Sequence, residues 1–307
     1  MRGAATFSPT CKILLTGKNG QVGWELQRTL ACLGEVVAVD RQGLDISSAD
    51  AIRALIREVK PQLIVNPAAY TAVDKAEGEP ELAQAVNGVA PGIMAEEAKR
   101  LGALLVHYST DYVFDGNQAT PYVEDDAPNP RNVYGRTKLA GEEAVRTVGG
   151  AHLILRTSWV YGARGRNFLL TILRLAQERP ELKIVADQFG APTWSRFIAE
   201  TTLQILSQRL GSWNELGGTY HAVASGKTSW HGFASAILQG AGLTTPLLPI
   251  TTAEYPLPAA RPQNSVLSNE KLHRDFGAVM PDWRTGLACC LDGAREAAVY
   301  TTFHHQR

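Results

Sequence analysis

Two residues four positions apart, Tyr134 and Lys138, have the side chains needed for proton transfer. They form a Y-x-x-x-K pattern, and side chains four residues apart lie on the same face of an α-helix. A free tyrosine has a pKa of about 10. A neighbouring ammonium group favours the phenolate, so the pattern predicts that Lys138 lowers the pKa of Tyr134. The pair is therefore predicted to act as an acid–base group near neutral pH.

A third candidate, Thr110, follows a predicted strand that ends in H-Y-S-T-D-Y at 107–112. Side chains at the carboxyl ends of parallel strands face a ligand crevice. The Thr110 hydroxyl can therefore donate to a carbonyl oxygen as that oxygen gains negative charge. Turn formation is the other interpretation of a Thr-Asp pair. His107, in the middle of the strand, is interpreted as a core or interface histidine.

A glycine-rich segment, G-K-N-G-Q-V-G at 17–23, lies between a predicted strand and a predicted helix. Gly17 permits a tight turn, Gly20 lets the backbone approach a pyrophosphate, and Gly23 lets helix and strand pack closely. Amide groups at the N-terminus of the helix would then face the phosphates. The spacing is GxxGxxG rather than GxGxxG, so the prediction of a dinucleotide site depends on the strand–turn–helix context. In such a site Lys138 can also bind the nicotinamide ribose.

Asp40 is predicted to end the second strand, next to the bound adenosine. An acidic residue there can accept from the ribose hydroxyls and repels the 2′-phosphate of NADPH. Arg41 follows directly and can offset that repulsion. The sequence therefore leaves the choice between NADH and NADPH open, and turn capping is the alternative role for Asp40.

The elements that must position these residues alternate between strand and helix. Apolar runs predict strands at 12–16, 35–40, 63–66, 104–109 and 153–156, and helical spacing predicts helices at 21–33, 49–59, 81–101 and 136–148. This order predicts an α/β protein with a Rossmann-type, doubly wound parallel sheet and right-handed crossovers. We expect a loose tail at 1–10, a mainly dinucleotide-binding domain at 11–165, and a smaller C-terminal substrate-binding lobe at 166–307 with segments that return to the main sheet.

The composition favours a small-molecule partner. Of the 307 residues, 45% are hydrophobic and 20% are charged, and the formal net charge is zero. These values argue against disorder and predict no nucleic-acid or membrane partner. The four cysteines have no metal-binding spacing and are interpreted as thiols in a reducing compartment. No apolar run reaches the roughly 18 residues of a membrane span, so a cytoplasmic location is predicted.

With these residues identified, the sequence resembles the extended short-chain dehydrogenase/reductases, and in particular the dTDP-4-dehydrorhamnose reductase family. The glycine segment and Y-x-x-x-K occur throughout the superfamily. S-T-D-Y-V-F at 109–114, R-T-S-W-V-Y at 156–161 and D-Q-F-G-A-P-T at 187–193 point to the reductases. The resemblance, which runs almost end to end, implies NADPH- or NADH-dependent reduction of the 4-keto group of dTDP-4-dehydro-L-rhamnose to dTDP-L-rhamnose.

The same resemblance implies roles for single positions. Tyr134 would be the catalytic acid. Lys138 would adjust the pKa of Tyr134 and bind the nicotinamide ribose, and Thr110 would donate a hydrogen bond to the substrate carbonyl. The cofactor residues would be Gly20, Gln21 and Val22 at the pyrophosphate, Asp40, Asp45 and Ile46 near the adenosine, and Ala69, Tyr70 and Thr71 along the cofactor path. Thr110, Asp111 and Trp159 would contact the sugar.

Three of the candidate substrate residues also have a rationale, and an alternative, that does not depend on the resemblance. The flat apolar face of Trp159 suits a deoxy sugar, with core packing as the alternative. Arg261 and Asn264 lie in a proline-bounded loop. They can meet the nucleotide diphosphate or simply lie exposed at the surface.

Two positions depart from the family pattern. Pro67 stands where the family more often has alanine, and its fixed φ and missing N–H would reshape the cofactor path slightly. Some members are described as dimers bridged by Mg²⁺ through glutamates. Glu25 is present here, but Arg196 replaces a second glutamate, and a cation there disfavours Mg²⁺. No metal is therefore predicted, a homodimer stays open, and its magnesium-bridged form is disfavoured.

Two other functions stay open at this point. A nucleotide-sugar epimerase or dehydratase on the same fold would also use tyrosine, lysine and a dinucleotide. It would return the hydride, so NAD(P)H would not be consumed. A non-catalytic regulatory subunit would keep the pocket only for binding, and the intact set of Thr110, Tyr134 and Lys138 argues against it.

Overall fold

The computed structural model of the chain describes residues 11–304, with side chains described as far as residue 293. The tail predicted at 1–10 lies outside the described residues. The strands are β1 (Cys11–Leu15), β2 (Gly34–Ala38), β3 (Leu63–Asn66), β4 (Leu104–Thr110), β5 (His152–Thr157), β6 (Val160–Tyr161), β7 (Leu182–Val185), β8 (Phe189–Gly190), β9 (Thr193–Trp194), β10 (Thr219–His221), β11 (Thr228–Ser229) and β12 (Leu247–Ile250). The α-helices are α1 (Gln21–Thr29), α2 (Ala49–Val59), α3 (Val73–Ala76), α4 (Pro80–Gln84), α5 (Ala90–Leu101), α6 (Val133–Val148), α7 (Phe168–Glu178), α8 (Ser195–Gln208), α9 (Trp230–Ala241), α10 (Glu270–Phe276) and α11 (Trp283–His304).

Six parallel strands form the main sheet in the order β10-β5-β4-β3-β1-β2. β1 pairs with β2 on one side and β3 on the other, so the direction of winding reverses at β1. In sheets of this kind a crevice forms at the carboxyl ends of the strands beside that reversal. Every residue of β3 and β4 is buried, as expected for strands covered on both faces. The predicted α/β, doubly wound parallel sheet is confirmed.

Helices cover both faces of the sheet. On one face Leu26 of α1 and Ile198 of α8 pack against β1, β3 and β4. On the other face Ile52 of α2 and Met94 of α5 pack against the same strands. Each such fully buried side chain stabilises the fold by roughly 1.5–3 kcal/mol, and together they hold the strand ends of the crevice in fixed positions.

The C-terminal part of the chain builds a lobe from three two-stranded sheets, β6 with β9, β7 with β12, and β8 with β11. Its core surrounds Tyr161, Phe233 and Trp283. β10 leaves the lobe and pairs with β5 at the edge of the main sheet. The domain boundary at residue 165 stays a prediction.

Two predicted helices differ from the structure at the site. The helix predicted at 81–101 is interrupted by a π-helical segment at Ala85–Val89. Pro91 explains it, because proline has no N–H for the carbonyl of Asn87 and its ring would clash with that carbonyl in a regular α-helix. The helix predicted to start at 136 begins at Val133, because the Asn132 side chain accepts from Gly135 N at 2.8 Å and caps it there. Among the described residues no helix is long and apolar enough to span a membrane.

Candidate active site

A cleft of about 890 Å³ opens at the carboxyl ends of the central strands. This volume is in the range of cofactor and small-molecule sites. The predicted site residues that line it are Gly17, Gly20, Gln21, Val22, Gly23, Asp40, Asp45, Ile46, Ala69, Tyr70, Thr71, Thr110, Asp111, Tyr134, Lys138 and Trp159. The roles assigned to them stay predictions, but the fold brings them to one place.

The glycine turn lies between β1 and α1 and is shaped for close approach. Gly17 has a φ of +60°, in the left-handed region that favours glycine. A Cβ on Gly23 would lie 2.1 Å from the Gly17 oxygen, so no side chain fits there. Gly20 is the N-cap of α1 and supplies no side-chain cap, which leaves the first amides of the helix for another acceptor. These features fit the pyrophosphate of a dinucleotide.

The Asp40 carboxylate has partners on both of its oxygens. Oδ1 accepts from the backbone N–H groups of Gln42 and Gly43 at 3.1 and 3.3 Å. Oδ2 accepts from Asn19 Nδ2 at 2.9 Å and lies 3.4 Å from the Lys18 ammonium. Burial raises the pKa of Asp40, but the two amides and Lys18 outweigh it and hold the pKa below its usual range. Asp40 therefore caps its own turn, which was the alternative role.

Tyr134 lies in the first turn of α6 and Lys138 one turn later, and both face the cleft. Burial, helped by the charge of Asp111, raises the pKa of Tyr134 to about 12, although the nearby Thr110 hydroxyl lowers it. Lys138 donates instead to the Tyr108 carbonyl oxygen at 2.6 Å. The prediction that Lys138 lowers the pKa of Tyr134 is wrong here, because the phenol is desolvated and the ammonium points to another acceptor.

The amino group of Lys138 is itself buried, and burial lowers its pKa to about 8, against the attraction of Glu142. At neutral pH the site therefore contains a protonated phenol and a mostly protonated amine. That combination suits a proton donor better than a base.

Thr110 and Asp111 lie at the end of β4, both buried. The Thr110 hydroxyl donates to Asp111 Oδ1 at 3.0 Å and accepts from Tyr112 N at 3.2 Å, so it also caps the turn that follows. Burial raises the pKa of Asp111 to about 6, and the hydroxyls of Ser265, Thr110 and Ser158 lower it. Asp111 Oδ2 is buried and has no hydrogen-bond partner among the described residues.

Trp159 lies at the rim of the cleft with a left-handed backbone, at a φ of +48°. Non-glycine residues in that region are strained and cluster at functional sites. Its ring stacks on Trp230, with centroids 3.5 Å apart. A Cβ on Gly190 would lie 2.5 Å from the ring, so glycine is required below it. Trp159 is half-buried and not enclosed in a core.

Arg261 and Asn264 do not line the cleft. Arg261 pairs with Asp74 at 2.7 Å, and its guanidinium lies 5.9 Å from the ring centre of Tyr112, which does line it. Asn264 is buried, and its amide donates to the backbone oxygens of Gln118 and Thr120. The alternative that Asn264 is exposed at the surface is therefore wrong. Its contact with the nucleotide diphosphate stays a prediction, and these hydrogen bonds argue against it because they already use the amide donors.

The family model described as "RmlD substrate binding domain" matches residues 11–296, nearly the whole chain. The chain belongs to the RmlD family. This confirms the resemblance drawn from the S-T-D-Y-V-F, R-T-S-W-V-Y and D-Q-F-G-A-P-T segments.

Named relatives and solved structures match this chain over almost its whole length. A protein of Burkholderia thailandensis named dTDP-4-dehydrorhamnose reductase is 51% identical over 293 residues, 91% of this chain and 98% of the relative. A crystal structure of such a reductase from Clostridium acetobutylicum superposes with a TM-score of 0.88 at 39% identity, covering 92% of this chain and 99% of that one. A Bacillus anthracis reductase, solved in complex with NADP, gives a TM-score of 0.86 at 36% identity, covering 93% and 100%.

Glu25 and Arg196, the two positions considered above for a magnesium ion, form an ion pair in this chain. Arg196 lies 3.4 Å from Glu25 and 2.6 Å from Glu200. The described part of the chain has no group of three or more His, Cys, Asp or Glu side chains arranged for a metal. The prediction of no metal remains a prediction.

Two residues at the site, Trp230 and Asn87, and one contact of His107 were not predicted from the sequence. Trp230 lines the cleft from α9, far along the chain from Trp159. Asn87, in the π-helical segment, bonds to both backbone groups of Tyr70 and to the Thr137 hydroxyl. His107 is buried in β4, as predicted for a core residue, but its Nε2 lies 3.3 Å from Lys138 Nζ. A polar pair in register on β3 and β4, Asn66 opposite His107, was the available signal.

Proposed function

We propose that this chain is an NAD(P)H-dependent reductase that converts the 4-keto group of dTDP-4-dehydro-L-rhamnose to the hydroxyl of dTDP-L-rhamnose. The observation that carries the proposal is that the Thr110 and Tyr134 hydroxyls both line the cleft that begins at the glycine turn, close enough for Thr110 to lower the pKa of Tyr134. The relatives named as this reductase, and the NADP complex of one of them, support the same reaction.

The residues of the glycine turn and α1 would hold the pyrophosphate of the dinucleotide, and Lys138 its nicotinamide ribose. When bound, the reduced nicotinamide supplies the hydride. All other groups that the reaction needs belong to the chain. They must bind the sugar, orient its carbonyl and supply one proton.

Tyr134 supplies the proton. Because its pKa is raised to about 12, the phenol is protonated at neutral pH and can donate to the substrate oxygen as that oxygen becomes an alkoxide. Thr110 can donate a second hydrogen bond to the same oxygen once its hydroxyl hydrogen turns away from Asp111.

The sugar would be bound by Trp159 and Asp111. The stacked indole pair lines the cleft, and its apolar surface suits the apolar side of a deoxy sugar. The free oxygen of Asp111 can accept from a sugar hydroxyl. A cytoplasmic location belongs to the proposal, because NAD(P)H and nucleotide sugars are cytoplasmic metabolites.

The deciding experiment supplies the enzymatically made 4-keto sugar nucleotide and follows the absorbance of NADH or NADPH. A reductase consumes one reduced cofactor for each sugar converted. An epimerase or dehydratase would change the sugar with no net consumption, and a regulatory subunit would bind the cofactor without turnover. Either result would refute the proposal.

A further inference from the structure

A chain of buried polar side chains runs beneath the cleft from β1 to α6. Thr16 Oγ1 lies 2.6 Å from Asn66 Oδ1, and Asn66 Nδ2 lies 3.2 Å from His107 Nδ1. His107 Nε2 lies 3.3 Å from Lys138 Nζ. Each of the four residues is at most 1% exposed. Buried polar groups need partners, so these contacts restrict one another.

The charge state of the imidazole follows from this position. Burial lowers the pKa of His107 well below its usual value, and the charge of Lys138 lowers it further. His107 is therefore neutral, with one N–H nitrogen and one bare nitrogen. Which imidazole nitrogen lacks the proton depends on whether the Lys138 amino group is charged or uncharged.

Two proton arrangements are consistent with the distances. An ammonium group has only donors, so with charged Lys138 the bare nitrogen must be Nε2, and Nδ1–H must donate to Asn66 Oδ1. The amide of Asn66 then donates to Thr16 Oγ1. With an uncharged amine, Thr16 donates to Asn66 Oδ1, the Asn66 amide donates to Nδ1, and His107 donates from Nε2 to the amine. The two arrangements differ in the orientation of the Asn66 amide, the imidazole nitrogen that carries the proton, the direction of the Thr16 hydroxyl and the charge of Lys138. The amide orientation of the structure, with Oδ1 towards Thr16, is that of the second arrangement, and the first requires the amide to be turned over.

We propose that His107 is a positioning residue for Lys138: oriented by Asn66 and Thr16, its imidazole holds the Lys138 amino group in place and supports the ammonium form. The proposal rests on the proposed function only in giving Lys138 its role in the reaction. Thr16 and Lys138 both line the cleft, so the buried chain connects two parts of its floor.

Other groups that face Lys138 must be separated from His107 in a test. The Tyr108 carbonyl of β4 accepts from Nζ, and Tyr134 precedes it on α6. Glu142, on the same helix, raises the pKa of Lys138. Glu142 is also bound to Arg156 of β5 at 2.8 Å and to Arg146 at 3.1 Å, so its charge is shared.

The direct test is ¹⁵N spectroscopy of the full chain with labelled histidine and without cofactor or substrate. The chain has 7 histidines, and His107→Gln identifies the signal that belongs to His107. We expect a neutral imidazole that carries its proton on Nδ1 when Lys138 is charged and shifts towards Nε2 as the pH rises through about 8. A protonated imidazole at neutral pH, or an unchanged tautomer in Lys138→Met, would overturn the proposal. Because no turnover is measured, this result is independent of whether the reductase assignment is correct.

The kinetic test compares His107→Leu with His107→Gln. Loss of an acceptor by a buried ammonium should move the alkaline limb of kcat to lower pH by about one unit. His107→Gln keeps an acceptor oxygen and should restore most of the shift. His221→Leu is the matched control, since His221 is equally buried and its Nδ1 faces the Ser268 oxygen, away from Lys138. Equal, pH-independent losses in the two leucine variants would mean that His107 has only a packing role.

Discussion

The indole rings of Trp159 and Trp230 lie 3.5 Å apart and within 3° of parallel. One follows β5 of the main sheet and the other begins α9 of the lobe. The pair therefore joins the two parts of the molecule at the cleft, and each ring limits the movement of the other.

Trp230→Ala should weaken sugar binding without removing the chemistry. A stacked aromatic pair is worth about 0.5–1.5 kcal/mol beyond its buried area, so KM for the sugar nucleotide should rise about threefold to tenfold with a smaller change in kcat. Steady-state kinetics would measure this. Trp213→Ala is the control, because Trp213 does not line the cleft. An unchanged KM would show that the stack does not orient Trp159.

Tyr134→Phe should retain dinucleotide binding and lose turnover by about 100-fold or more, because it removes the proton donor and little volume. Cofactor binding by fluorescence titration and turnover with the 4-keto sugar would separate the two effects. Turnover near the wild-type rate would remove Tyr134 from the mechanism.

The pH dependence should reflect Lys138 rather than Tyr134. Tyr134 keeps its proton up to a pKa of about 12, while Lys138 loses its charge as the pH rises through about 8. The rate constant kcat should therefore fall above that pH. The Lys138→Met variant should have a low kcat that shows no such fall at alkaline pH. A limb that persists in Lys138→Met would assign the ionisation to another group.

NADP⁺ should bind at least as tightly as NAD⁺. The Asp40 carboxylate is held by its own turn and by Lys18 at 3.4 Å, so it offers little repulsion to a 2′-phosphate. Arg41 lines the same end of the cleft. Arg41→Ala should weaken NADP⁺ binding about tenfold and leave NAD⁺ nearly unchanged, as calorimetry would show. A preference for NAD⁺ in the unmodified chain would contradict this view of Asp40.

The buried pair of Glu142 and Arg156 should matter for stability. The Glu142 carboxylate accepts from Arg156 Nε and from its terminal amino group at 2.9 and 2.8 Å. Glu142→Gln leaves Arg156 buried without its counter-charge and should cost about 3–5 kcal/mol of unfolding free energy. Glu178→Gln, which breaks the exposed pair with Arg174, should cost less than about 1 kcal/mol. Similar losses in the two variants, measured by urea unfolding, would be inconsistent with this account.

The sheet, the glycine turn and the Tyr134–Lys138 pair were predictable because they are encoded by local patterns. β3 has the predicted bounds, because its short run of mostly β-branched and apolar residues, Leu63–Asn66, is typical of a buried strand. The raised pKa of Tyr134 and the His107–Lys138 contact were not predictable in this way. They depend on desolvation and on the packing of α6 against β4, which no short segment contains. The Trp159–Trp230 stack joins residues too distant in sequence for any periodicity to relate them.

The π-helical segment at Ala85–Val89 gives the chain a particular sensitivity to length. Deleting one residue there would turn everything beyond it by about 100° relative to what precedes it, and Pro91 would still prevent a regular α-helix. Asn87 could then no longer bond to Tyr70 and Thr137 together. A surface loop would tolerate a one-residue deletion, but in this helix the same deletion would displace a wall of the cleft. Substitutions should therefore be far better tolerated here than insertions or deletions.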